Sequence, residues 1–102
     1  MNEATVIDNT EQHRYELHDG DQVGGVLRYE DRGEVRVLTH TEVPPEHGGK
    51  GYGSKLARAG LDDVRRQGRQ VIAECSFVDA YITRHPEYAD LRSPDDPGGA
   101  SQ

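Results

Sequence analysis

The sequence predicts an α+β domain around one mixed, mostly antiparallel sheet packed by about two main helices. Three observations carry that reading. Residues 5–43 alternate apolar and polar side chains, broken by the turn signals Asp19-Gly20-Asp21 and Asp31-Arg32-Gly33. Residues 51–67 carry one apolar stripe at helical spacing. A short β-prone run, Val71-Ile72-Ala73, then leads into a second helical stretch, so strands come first and helix, strand, helix follow. At 102 residues the chain has room for one domain with a modest core.

Thr5 to Ile7 is a β-prone start. From His13 to Leu17, Tyr15 and Leu17 share one face, with Arg14 and Glu16 on the other. Between Val23 and Glu30 the pattern places Val23, Gly25, Leu27 and Tyr29 together, and the paired glycines Gly24-Gly25 weaken the strand or mark a bulge. Glu34 to Val43 alternates Val35, Val37 and Thr39 against Arg36, Leu38 and His40, and Pro44-Pro45 ends it. On the helix, Leu56, Ala57, Gly60, Leu61 and Val64 form the stripe. Lys55, Arg58, Asp62, Asp63 and Arg66 are read as outward, and Gly68 as a left-handed cap. Phe77 to Thr83 is the second helix, stopped by His85-Pro86, with Phe77, Val78 and Tyr88 expected in the core. The domain is placed at residues 1–92, and the polar stretch 93–102 reads as a disordered tail.

Composition excludes several classes of function. Twelve bases against nineteen acids give a net charge of −7, a poor match to nucleic acid or anionic lipid. One cysteine, Cys75, precludes an internal disulfide, and no Cys/His spacing suggests a metal site. With no apolar run of membrane length and no basic-then-apolar leader, the expected compartment is the reducing cytoplasm. Nothing in the pattern speaks to oligomeric state.

The chemical signal is Pro45-Glu46-His47-Gly48-Gly49-Lys50-Gly51-Tyr52-Gly53-Ser54-Lys55-Leu56, between a strand and a helix. Such a corner gathers unpaired backbone N–H groups at the positive end of a helix dipole, and glycines let an anion approach closely. A Walker loop is excluded because Ser54-Lys55 inverts its final pair, and a dinucleotide fingerprint because Gly49, Gly51 and Gly53 miss its last step. Between His47 and Gln70, six bases face two acids, a local charge of +4 in a chain that is −11 elsewhere. That band suits a polyanion, or it is simply a solvated helix face.

Gly48-Gly49-Lys50-Gly51-Tyr52-Gly53 after Val43-Pro44-Pro45 resembles the pyrophosphate loop of the GNAT superfamily of acyl-CoA N-acyltransferases, in which Gly51 and Gly53 fill the two glycine positions. Gly48 departs from the pattern, standing where Arg or Gln is usual. Thr39-His40-Thr41-Glu42-Val43-Pro44-Pro45, Cys75-x-Phe77-Val78 and His85-Pro86-Glu87-Tyr88-Ala89-Asp90-Leu91 extend the likeness from about Tyr15 to Leu91, to the minimal YjdJ-type members. These members are trimmed of the first helices of larger relatives. The resemblance implies a sheet splayed between its fourth and fifth strands. It implies acetyl-CoA as co-substrate, no metal, and an amine acceptor: a protein lysine, a polyamine or a small amine. It also implies a donor site made by Thr41, Val43, Gly48, Gly49, Lys50, Gly51, Tyr52, Gly53, Ser54 and Lys55.

Amide formation from a thioester needs a deprotonated amine, a polarised carbonyl and a proton for the leaving thiolate. Glu42 is the candidate base and His40 the alternative. Cys75 is a candidate nucleophile whose thiolate the helix starting near Phe77 would favour. Tyr81 is the candidate acid, by the resemblance. Each also has an ordinary structural role open to it: exposed strand residues for Glu42 and His40, a small buried apolar residue for Cys75, packing for Tyr81. Two other functions fit the sequence: a CoA-binding module with little turnover, or a non-enzymatic interaction domain.

Overall fold

The computed structural model describes residues 4–96. Five strands form one sheet in sequence order: β1 (Thr5–Asn9), β2 (Arg14–Asp19), β3 (Gln22–Arg32), β4 (Val35–Glu42) and β5 (Gln70–Ala73). The first four pair antiparallel through tight turns, and β5 joins β4 in parallel. That parallel step needs a crossover, supplied by α1 (Tyr52–Arg66). α2 (Ser76–Arg84) and a 3₁₀ turn over Pro86–Leu91 close the domain. The predicted α+β architecture is therefore the observed one.

α1 forms where the apolar stripe predicts it: Leu56, Leu61 and Val64 are fully buried, each stabilising by about 1.5–3 kcal/mol. Its end is a Schellman arrangement. The Arg69 N–H donates to Val64 O, the Gly68 N–H donates to Arg65 O, and Gly68 takes a φ of +70°. Both helices share one core with Tyr15, Leu17, Leu27, Tyr29, Leu38 and Val71 from the sheet.

Two bulges set which side chains face the helices. Leu17 pairs Gly25 while His18 pairs Val23, which leaves Gly24 as the extra residue. Both glycines then lie under α1, where an added Cβ on Gly24 would stand 2.7 Å from the Tyr52 ring. Val23, expected on the Leu27 face, is consequently 43% exposed. In the second bulge, Arg28 pairs His40 while Tyr29 pairs Leu38, so Thr39 is the extra residue on β4. Leu38 faces the core, and beyond the bulge Thr41 does so instead of His40 or Glu42.

Three more expectations need correction. Asp63, read as outward, is buried; it accepts from the Tyr15 hydroxyl at 2.8 Å and the Arg36 guanidinium at 3.4 Å. Phe77, read as core, is 37% exposed at the start of α2. Ser93 and Asp96, read as part of the tail, are buried along β5. The Ser93 N–H donates to Val71 O at 2.8 Å, and a carboxylate oxygen of Asp96 accepts from the Ala73 N–H at 3.3 Å. The rest of the predicted tail, residues 97–102, lies outside the described residues.

Candidate donor and transfer site

β4 and β5 are paired only from Val35/Gln70 to Leu38/Ala73. The last tie is Leu38 O, which accepts from both the Glu74 and the Cys75 N–H at 3.0 Å. Past that point β4 continues through Thr39–Glu42 while β5 turns into α2, and the two chains part. The Thr39 bulge aims Thr41 into this gap, where its Oγ1 lies 3.1 Å from Cys75 Sγ.

A cleft of about 370 Å³ opens on the helix side of the gap, lined by Thr41, Val43, the glycine loop and Phe77. Pro45–His47 forms one 3₁₀ turn, and Gly49 and Gly51 then take φ values of +83° and +74°, a region a Cβ penalises. Gly51 caps α1: its carbonyl accepts the first helical bond, from Lys55 N–H at 3.0 Å. Among the described residues, the backbone N–H groups of Gly49, Lys50, Gly51, Tyr52, Gly53 and Ser54 have no hydrogen-bond partner. Six consecutive donors at the positive end of a fifteen-residue helix form an anion cradle.

The first turn of α1 is anchored on both sides. Tyr52 is buried over Gly24 and its hydroxyl donates to Asp19, the last residue of β2, which pushes the phenol pKa up. Gly53 lies against Phe77, where an added Cβ would stand 2.9 Å from the ring. Lys50 and Lys55 stand exposed at the loop and in that first turn; Lys50 Nζ is 5.7 Å from the centre of the Tyr52 ring.

The band of positive charge divides along the helix. Arg65 pairs with Asp90, Arg66 with Asp63 and Arg69 with Asp31, all toward the C-terminal end. Lys50, Lys55 and Arg58 form no ion pair among the described residues, so the uncompensated charge lies on the loop half.

The predicted donor-site residues Thr41, Val43, Gly48, Gly49, Gly51, Tyr52, Gly53 and Ser54 thus come together in one cleft, with Lys50 and Lys55 beside it. Phe77 and His47 also line it. Phe77's place follows from its position directly across the strand gap, a long-range relation that helical periodicity alone does not carry.

None of the four catalytic candidates lines the cleft. His40 and Glu42 project from the opposite face of β4, with His40 Nε2 3.3 Å from one Glu42 oxygen and Arg28 3.6 Å from the other. Cys75 is buried at the edge of the gap as the N-cap of α2. Tyr81, one turn after Phe77, is buried with its ring stacked on His85 at 4.1 Å, and desolvation raises its pKa.

A family model described as GCN5-related N-acetyl-transferase matches residues 14–91. The protein NATD1 of Gallus gallus is 37% identical over 62 residues, 60% of this chain and 56% of that protein. The Homo sapiens NATD1 is likewise 37% identical over 62 residues, covering 60% of this chain and 55% of that one. The chain therefore spans about half the length of the curated relatives it matches. A solution structure of a GCN5-like protein from Staphylococcus aureus superposes with a TM-score of 0.68 at 23% identity, covering 87% of each chain. At that identity the likeness is one of fold.

Proposed function

The chain belongs to the GCN5-related N-acetyltransferase family, and from that premise we propose that it transfers an acetyl group from acetyl-CoA to an amine. The observation that carries the proposal is the row of six unpartnered N–H groups opening α1 beside a strand gap. The loop fits a diphosphate: its N–H donors are unpartnered, its left-handed Gly49 and Gly51 leave no Cβ in the way, and its nearby cations form no ion pair among the described residues. Thr41 and Val43 wall the gap where a pantetheine arm would lie. Bound acetyl-CoA supplies the activated acyl group, and the protein's residues do the rest.

An alkylamine has a pKa of about 10.4 and must lose a proton before it can attack. Glu42, held between Arg28 and His40 on the outer face of β4, is the candidate to take that proton. His40 is the second candidate. Tyr81, a buried phenol whose pKa desolvation raises, is the candidate proton source for the departing thiolate. Cys75 offers a covalent route; its contact with Thr41 keeps Sγ at the gap.

Acetyl-CoA at ~100-fold over its Kd should stabilise the fold by about 2.7 kcal/mol, read by thermal unfolding. Glu42→Gln should retain that stabilisation and lose amine-dependent release of free thiol. No stabilisation at millimolar acetyl-CoA would point instead to a non-enzymatic interaction domain. One observation favours a CoA-binding module as the second reading: Gly48, with no side chain to offer, stands at a loop position where Arg or Gln is usual. Stabilisation without thiol release for any amine would select it.

A further inference from the structure

A second concavity, about 340 Å³, lies along the outer face of the β4–β5 seam. Its lining is Arg32, Val35, Ile72, Glu74 and Asp95. Strand alternation places Val35 and Ile72 there, because their neighbours Leu38, Val71 and Ala73 face the helices. Glu42 and His40 share this outer face.

The lining is ordered along the strand. Arg32 pairs in register with Val35, at the hairpin end farthest from the gap. Ile72, paired with Val37, forms the middle of the floor. Glu74 follows Ala73 at the point where β4 and β5 part. Asp95 is level with it, since the Ser93 N–H bonds Val71 O and Asp96 holds the Ala73 N–H. From the gap outward the trough is thus acidic, then apolar, then basic. The Arg32 guanidinium is available: it is 61% exposed, and its partner Glu30, at 3.5 Å, is 63% exposed.

We propose that this trough is the acceptor subsite and that it takes an aliphatic amine carrying a carboxylate at its far end, an ω-amino acid. The proposal rests on the acetyltransferase reading of the strand gap. The ammonium lies at Glu74 and Asp95, where β4 and β5 part, on the face that Glu42 shares. The methylene chain lies on Val35 and Ile72, and the carboxylate meets Arg32. From Val35 to Leu38 the strand advances about 10 Å at roughly 3.3 Å per residue, the span of a six-carbon amino acid plus part of the arginine. A diamine would place its second cation against Arg32, and an alkylamine would leave Arg32 unused. In the transfer the ammonium gives one proton to solvent through the carboxylates of this face. The amine nitrogen then bonds the acyl carbon, the C–S bond breaks, and the second nitrogen-bound proton leaves with the thiol.

Two measurements test this. In the first, 6-aminohexanoate is titrated into the full chain without acetyl-CoA and the amide resonances are followed. Shifts at Val35, Ile72, Glu74 and Asp95 are expected, and they should be lost in Glu74→Gln/Asp95→Asn. Absence of shifts at Val35 and Ile72 would overturn the proposal whether or not the donor site functions. In the second, thiol release is compared for 6-aminohexanoate, hexylamine and 1,6-diaminohexane. We expect 6-aminohexanoate to lead in kcat/KM by about tenfold, and Arg32→Gln to abolish that lead through KM while leaving hexylamine unchanged. A lead for the diamine, or an Arg32→Gln effect equal for all three amines, would also overturn it. Failure of the donor reading shows separately, as absent stabilisation by acetyl-CoA.

Discussion

Gly53 and Phe77 set how closely the first turn of α1 approaches α2, and with it the width of the donor cleft. A methyl group at Gly53 would stand 2.9 Å from the Phe77 ring. The ring must then swing into the cleft or the helix must lift. Gly53→Ala should weaken acetyl-CoA binding about tenfold, or about 1.4 kcal/mol by titration calorimetry, with little loss of thermal stability. Glu16 governs a different property. Buried on the outer face, it accepts from Asn9 at 2.9 Å and Arg14 at 2.7 Å and lies 3.0 Å from His18. The Asn9 bond, then Arg14 and His18, lower its pKa to about 2. A depressed pKa stabilises the fold above the unfolded value of about 4.5, and the benefit fades as pH falls toward 2. With solvent screening the partly exposed Arg14, Glu16→Gln should cost about 1–2 kcal/mol at pH 7. Urea midpoints of parent and variant should converge as pH drops from 4.5 to 2.

At the scale of elements, the Thr39 bulge decides which side of β4 meets the cleft. A strand reverses its faces with each residue added or removed. Inserting one alanine after Thr39 should turn Thr41 out and bring His40 and Glu42 in, abolishing stabilisation by acetyl-CoA while β1 to β3 stay paired, as amide exchange would show. The end of α1 is simpler. Gly68 has a φ of +70° with open space around it, so Gly68→Ala should cost about 1 kcal/mol in backbone strain alone, seen as a lower Tm. The two bulges also show what the sequence reveals at this scale. The one at Gly24 is written in paired glycines, because two neighbouring residues must both fit beneath Tyr52. The one at Thr39 has no such mark, since threonine suits any extended position; from alternation alone His40 and Glu42 belong with Leu38. The glycine loop was legible because its backbone chemistry demands a particular residue type. Phe77 was not, because an aromatic at the start of a helix looks the same whether it is buried or faces a cleft.

Across the whole molecule, one buried cation joins most of the elements. Arg36 of β4 is 3% exposed and lies over the Tyr29 ring at 3.9 Å. It donates to the Tyr15 hydroxyl at 2.7 Å and to both Asp31 oxygens, and it lies 3.4 Å from Asp63 of α1 and 3.6 Å from Asp8 of β1. The guanidinium holds the Asp31 pKa down, and burial drives the Tyr15 phenol well above its usual value. Removing the cation leaves these carboxylates facing one another, so Arg36→Met should cost about 3–5 kcal/mol in urea unfolding. Alternation set Arg36 beside Leu38 but gave no hint of this hub, because its partners come from four other elements. Asp63 was misread for the same reason: its partners are distant in sequence.

The short run after Arg92 has a consequence for how copies of the chain meet. β5 would otherwise end the sheet with an open row of main-chain donors and acceptors, the pattern on which strands from other molecules add. Ser93 instead fills an acceptor there, and the carboxylate of Asp96 sits on a donor. A stacking neighbour would meet negative charge in place of a free N–H on that side. Growth by strand addition is thereby left to the opposite border, β1, where Ile7 is exposed.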